Sequence, residues 1–180
     1  ETLFGDDTEA DALIYALYAH ALAGQIGPHE IGQVMHAMDT PKKTIQQTLQ
    51  ALEQAGEGHV VERVFIRIHR GVRMQSFRKL GPNIIPVFSW FQAALVLFIH
   101  NRLDANGLIN CLDACIASGN LSRTQVGFLV QDLARRGAFD LSVFSEMSKG
   151  LEPLKSLRDE VHQIEIDLGP IPNKNATSPD

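Results

Sequence analysis

The residues with the clearest chemical potential are the positively charged side chains between His59 and Pro82. This segment has six bases and one acid, a net charge of +5, whereas the residues before it carry −7 and those after it −3. Arginine binds phosphate oxygens through two donors at once, and neutralised phosphates release counterions. A basic segment in a chain of net charge −5 therefore indicates contact with phosphates, contact with an acidic protein surface, or a solvated strand edge whose charges prevent aggregation. The bases are Arg63, Arg67, Arg70, Arg73, Arg78 and Lys79.

Patterns for catalysis and metal binding are absent from the sequence. The seven histidines are scattered, and no His-Glu-x-x-His, paired Cys-x-x-Cys, Gly-x-Ser-x-Gly or phosphate-loop motif occurs. We interpret the neighbouring acids Asp6 and Asp7 as solvated, and we expect Cys111 and Cys115 to remain reduced because a disulfide within one helix fits poorly. The sequence thus predicts no catalytic residue, no metal site and no cofactor, and a protein that is not an enzyme.

The composition is that of an ordinary globular chain. With 44% hydrophobic and 21% charged residues, it is too apolar for intrinsic disorder. The acidic start lacks the basic region of a secretory signal, and the apolar run from Val87 to Ile99 is shorter than the roughly 20 residues of a spanning helix. We therefore expect a cytoplasmic protein without a membrane partner.

The first half of the chain reads as three helices followed by a β-hairpin. Periodicity predicts a helix over about 7–23, a short helix after Pro28, and a third helix opened by Thr40 and Pro41 and closed by Gly56. Residues 59–68 are rich in β-branched side chains, and a turn at 70–71 lets 72–80 return as a second strand. The polar positions of the third helix are Lys42, Lys43, Gln46, Gln47 and Gln50.

This order of elements resembles the winged helix-turn-helix superfamily over residues 7–80. The run Thr44 to Gly56 is similar to the recognition helices of bacterial winged-helix regulators, in its spacing of Ile45, Leu49 and Leu52 before the closing glycine. The resemblance implies that the third helix enters a DNA major groove and that the hairpin, as the wing, touches the backbone. It assigns DNA contact to the polar positions of the third helix and to the six bases of the hairpin.

The second half reads as further helices. The segment 87–103 is apolar nearly all round, which predicts a helix at a dimer or interdomain interface. Residues 125–137 repeat the spacing of the third helix, so this half is either a degenerate second helix-turn-helix or a plain helical bundle. The expected interface residues are Phe88, Trp90, Phe91, Leu95 and Phe98.

The sequence as a whole predicts a mainly α protein with a winged-helix domain over 1–82, a helical domain over 83–168 and a flexible tail over 169–180. We expect a DNA-binding homodimer that acts as a transcriptional regulator or mobile-element control protein. The alternative is a winged-helix interaction module that joins a larger assembly without reading DNA. A third hypothesis, a ligand-responsive sensor, rests on the aromatic helix alone.

Overall fold

The computed structural model describes residues 1–56, 58–69 and 74–168. The chain is mainly helical, with a small three-stranded sheet. It divides into two compact units, residues 1–86 and 87–180. The sequence analysis predicted this boundary at residue 82. The flexible tail that it predicted over 169–180 lies outside the described residues.

The first unit begins with a strand that precedes three helices. Its elements are β1 (Thr2–Asp6), α1 (Asp11–Leu22), α2 (Pro28–Ala37), α3 (Lys42–Ala55), β2 (Arg63–Arg67), the short α4 (Gln75–Arg78) and β3 (Ile84–Val87), whose last residue starts the second unit. The three predicted helices are confirmed. The sequence pattern did not predict β1, because five residues interrupted by Gly5 show too little alternation.

The two strands β1 and β2 pair in parallel. Their register runs from Thr2 opposite Arg63 to Asp6 opposite Arg67. Strand β2 lies between β1 and β3 in the sheet. Parallel strands cannot be joined by a tight turn, and α1, α2 and α3 form the long crossover that such a pair needs.

The predicted β-hairpin over 59–80 is wrong where the structure describes it. Residues 75–78, expected in the second strand, form α4, and β2 pairs with β1 and neighbours β3. Val64, Phe65 and Ile66 are all fully buried, so both faces of β2 are covered. Three consecutive apolar residues are typical of such a central strand, whereas a solvent-exposed wing needs alternation. The predicted turn at 70–71 lies outside the described residues.

The core of the first unit fills the space between α1 and the sheet. Ala16 of α1 packs with Val64 and Ile66 of β2, with Phe77 of α4 and with Ile84 of β3. Tyr15 and Leu3 border this cluster. The small side chain of Ala16 lets α1 approach the strands closely.

The second unit is built of helices, as the sequence predicted. Its elements are α5 (Trp90–Ile99), α6 (Ala105–Ala117), α7 (Arg123–Arg135), α8 (Leu141–Ser148), a 3₁₀ turn (Glu152–Leu154) and α9 (Lys155–Leu168). The predicted capping box at α7 is confirmed, with the Ser122 backbone N–H donating to Gln125 Oε1 at 2.9 Å. Whether this unit contains a second helix-turn-helix stays a prediction.

A buried polar network joins α5 to α7. Gln92 is fully buried, and its Oε1 accepts from the Phe88 backbone N–H at 2.7 Å. Its Nε2 donates to the Leu129 carbonyl at 2.9 Å and to Asp132 Oδ2 at 3.0 Å. Arg136 Nη2 donates to the same carboxylate oxygen at 2.7 Å. Because both ends of the Gln92 amide are hydrogen-bonded, its burial does not leave an unpaired polar group.

Substitution by alanine is expected to change the stability in opposite directions at two helical glycines, Gly127 and Gly32. A Cβ on Gly127 of α7 would lie 2.7 Å from Ile164 Cγ1 and 3.1 Å from the Glu160 carbonyl oxygen of α9, whereas one on Gly32 of α2 would lie 3.8 Å from Leu49 Cδ1. Gly127→Ala should destabilise by about 1–3 kcal/mol through overpacking. Gly32→Ala should stabilise by about 0.5–1 kcal/mol because alanine loses less backbone entropy. Urea unfolding measures both free energies, and a Gly127→Ala protein as stable as the wild type would contradict the close α7–α9 packing.

Candidate nucleic-acid interface

The helices α2 and α3 pack against each other and are joined by a short turn. The Gly27 backbone N–H donates to Glu30 Oε2 at 3.1 Å and closes the start of α2. In the turn, Asp39 adopts a positive φ of 56° and the Thr40 N–H donates to the Met35 carbonyl at 3.0 Å. Pro41 occupies the N-cap position of α3, one residue later than the predicted Thr40. This turn sets the direction in which α3 leaves α2.

All the third-helix residues predicted to contact DNA are exposed. We call this set the α3 face: Lys42, Lys43, Gln46, Gln47 and Gln50. The opposite side, with Ile45, Leu49 and Leu52, is half-buried, and no residue of α3 is fully buried. The amphipathic pattern therefore placed the polar side chains correctly.

The α3 face is positively charged at the start of the helix. The first turn of α3 contains Lys42 and Lys43 and no acid. Backbone N–H groups at a helix N-terminus carry a partial positive charge, which adds to that of the two lysines. The outcome is a local positive potential at one end of a helix whose remaining exposed side chains are mostly uncharged.

The predicted bases of the hairpin are arranged differently from a wing. Arg63 and Arg67 lie at opposite ends of the central strand β2. Arg63 forms an ion pair with Glu62, with Nη1 and Oε1 2.5 Å apart, and Lys79 is exposed in the turn after α4. Arg70 and Arg73 lie outside the described residues, as does the side chain of Arg78. The wing assignment of Arg63 and Arg67 is corrected because a central strand cannot project from the fold.

The predicted interface residues of the second half differ in exposure. Phe91, Leu95 and Phe98 are buried in the chain, and Trp90 is half-buried. Phe88, immediately before α5, has 47% of its surface exposed. Of these five residues, Phe88 is therefore the one available to a partner, and the three buried ones contribute to the core of the chain.

The structure places three carboxylates where β1 ends, which sequence reasoning did not recognise as a group. Asp11 Oδ2 accepts from the Asp6 backbone N–H at 3.1 Å, and Asp7 Oδ1 accepts from the His69 N–H at 2.7 Å. A Cβ on Gly5 would lie 2.5 Å from Asp11 Oδ2, so glycine is required for this close approach. The signal in the sequence was the apolar pair Leu3 and Phe4 directly before Gly5, Asp6 and Asp7.

Asp6 is stabilised in its ionised form. The Thr8 hydroxyl and the Thr8 backbone N–H, the latter at 2.8 Å, both donate to Asp6 Oδ1. These hydrogen bonds lower the pKa of Asp6 below its ordinary value, and the charges of His69 and Arg67 lower it further. Both hydrogen bonds reach the same oxygen, Oδ1.

The two cysteines are free thiols on α6. Burial raises the pKa of the Cys111 thiol to about 11, and the neighbouring Cys115 adds to the shift. Because the thiolate is the nucleophilic form, Cys111 is protonated and unreactive near neutral pH.

Within residues 1–56, 58–69 and 74–168, no group of three or more His, Cys, Asp and Glu side chains could by itself hold a metal ion. No helix in the same part of the chain has the length and apolar character needed to cross a membrane. Comparison with protein-family models, curated proteins and solved structures finds no match for the chain.

The Asp6 carboxylate provides a test of the geometry at the end of β1. Thr8→Val removes the hydroxyl donor, so the pKa of Asp6 should rise toward its ordinary value in a carboxyl NMR titration. Because the folded-state pKa is the lower one, Asp6 contributes stability above its unfolded pKa, and this is lost as the pH falls through the folded value. The variant should therefore lose less stability on acidification. Thr44→Val, on the exposed surface of α3, is the control, and an unchanged Asp6 pKa in Thr8→Val would disprove the assignment.

Proposed function

We propose that this chain binds duplex DNA through the α3 face. The observation that carries the proposal is the joint exposure of all five side chains on α3, which follows α2 after a short turn. A transcriptional regulator or mobile-element control protein would use such a helix to enter the major groove. The order of α1, α2 and α3 supports a helix-turn-helix, and membership of the winged family remains part of the proposal.

The side chains of the α3 face suit two kinds of contact. Lys42 and Lys43, at the positive end of the helix, would bind phosphate oxygens and set the position of α3 on the duplex. Gln46, Gln47 and Gln50 are amides, and a glutamine amide pairs with the N6 and N7 edge of adenine. Phosphate contact supplies affinity and amide contact supplies sequence preference.

Because the predicted wing is not formed by the described residues, the proposed mechanism of DNA binding differs from the one that the sequence predicted. Since β2 is buried between two strands, DNA binding would depend on α3 rather than on a clamp by Arg63 and Arg67. Two lysines neutralise few phosphates, so a single chain would bind weakly. A homodimer that presents two α3 faces to successive half-sites would double the number of contacts.

The charge of the α3 face can be tested by its salt dependence. Lys42→Gln with Lys43→Gln should lower the slope of log K against log salt concentration by about 1–2, since each phosphate contact contributes roughly 0.9. Fluorescence anisotropy with a random duplex, repeated at several salt concentrations, measures the slope.

The matched control is Lys149→Gln with Lys155→Gln, which removes two exposed charges from the second unit. The control should bind DNA as the wild type does. An α3 variant whose slope equals that of the control would leave the interaction-module alternative as the better explanation.

A second candidate function is favoured by the parallel pairing of β1 and β2. In open, doubly wound parallel sheets, ligands bind beyond the carboxyl ends of the strands, and here Asp6 and Asp7 lie at the carboxyl end of β1, which pairs in parallel with β2. Mg²⁺ is commonly held by one or two carboxylates, with the remaining positions filled by water and by phosphate oxygens of the substrate. The arrangement suits a phosphate-bearing small molecule bound through Mg²⁺.

This second candidate is tested with MgCl₂ in the absence and presence of inorganic phosphate. Asp6→Asn should weaken saturable Mg²⁺ binding at least about tenfold, a change of about 1.4 kcal/mol. Asp159→Asn removes an exposed carboxylate from α9 and should leave Mg²⁺ binding unchanged. Equal Mg²⁺ affinity of the wild type and Asp6→Asn would exclude the site.

A further inference from the structure

A cavity of about 240 Å³ lies in the first unit beside α1. One wall is formed by Ala16, Ala19 and Ala23, which are spaced so that they share a face of α1 or its end. Val61, just before β2, and Ile84, at the start of β3, form another wall and are buried.

Most polar side chains that line the cavity form hydrogen-bond contacts with neighbouring residues. His20 Nδ1 contacts Gln25 Oε1, and His20 Nε2 lies 3.1 Å from the Leu80 carbonyl oxygen. Asn83 Nδ2 donates to the Val61 carbonyl at 3.0 Å. These contacts fix the side chains of His20 and Asn83 at the cavity wall.

Two further amide atoms belong to residues that line the cavity and are exposed to solvent. With its Oε1 turned to His20, Gln25 keeps its Nε2 as a donor, and with its Nδ2 on Val61, Asn83 keeps its Oδ1 as an acceptor. Both residues line the cavity. A ligand that carries one acceptor and one donor would satisfy both atoms.

The backbone at Gly81 keeps the cavity open next to His20. Gly81 has a positive φ of 123°, and a Cβ there would lie 3.3 Å from His20 Nε2. Any other residue would be strained and would press on the imidazole ring. Glycine at this position therefore preserves both the hydrogen bond to Leu80 and the space beside it.

We propose that this cavity binds a neutral, planar nitrogen heterocycle of nucleobase size. Apolar walls with a few fixed polar atoms are typical of small-molecule sites. The volume suits one ring system rather than a whole nucleotide, and the described residues that line the cavity include no Asp, Glu, Lys or Arg to match a charged ligand. The proposal is independent of DNA binding, because none of the α3 face lines the cavity.

The experiment titrates the full chain with adenine, cytosine and nicotinamide and follows the imidazole signals of His20 and His59 by NMR. At least one heterocycle should shift both signals in a saturable manner and should raise Tm with its concentration. Benzene, which has the planar shape but no hydrogen-bonding atoms, should bind at least about tenfold more weakly.

A cavity-filling substitution tests the location. Ala19→Leu should weaken binding of the heterocycle at least about tenfold, whereas Ala51→Leu, the same change on an exposed position of α3, should not. Ala23→Val, at the half-exposed end of the cavity, serves if Ala19→Leu does not fold. The proposal is overturned if none of the three heterocycles binds at millimolar concentration, or if binding is equal in the filled and control variants.

Discussion

The burial of β2 between β1 and β3 is the constraint on which the first unit depends. Val64, Phe65 and Ile66 are inaccessible to solvent, so both faces of this strand and both of its edges must be covered. Strand β1 covers one edge in parallel, and a parallel neighbour requires a crossover, which α1, α2 and α3 provide. The same pairing sets two further features: the carboxylates lie where β1 ends, and the cavity lies beside the residues that lead into β2.

The second unit depends on a polar interaction instead. Gln92 is buried, yet each of its amide atoms is hydrogen-bonded, and the carboxylate of Asp132 is held by both Gln92 and Arg136. A buried amide without partners costs about 1–3 kcal/mol, so this network restricts α5 and α7 to the arrangement that satisfies it. Apolar packing alone tolerates several arrangements of helices. The direction of the hydrogen bonds selects one of them.

The sequence predicted the three candidate sites, namely the α3 face, the carboxylates at the end of β1 and the cavity, to different extents. The α3 face followed from the 3.6-residue period, because exposure along one helix is a local property. The carboxylates could not be predicted from spacing, since Asp6 and Asp11 meet only after β1 and α1 pack at Gly5. The cavity required still more, because its walls come from α1, from the segment before β2 and from the start of β3. The hairpin prediction was wrong because β-branched composition indicates a strand but not its partner, and the uniformly apolar residues 64–66 belong to a buried central strand.

By itself, the sequence determined the helices and many of their ends. Periodicity, caps such as Ser122 with Gln125, and glycines such as Gly56 and Gly137 act within a few residues, so their effect can be read locally. Only the tertiary structure decided the sheet. Thr2 pairs with Arg63 across the whole crossover, and a short strand has no local signal for a partner that distant. The parallel pairing is therefore a property of the folded chain alone. It depends on which edge of the buried strand β2 is left for β1 to cover.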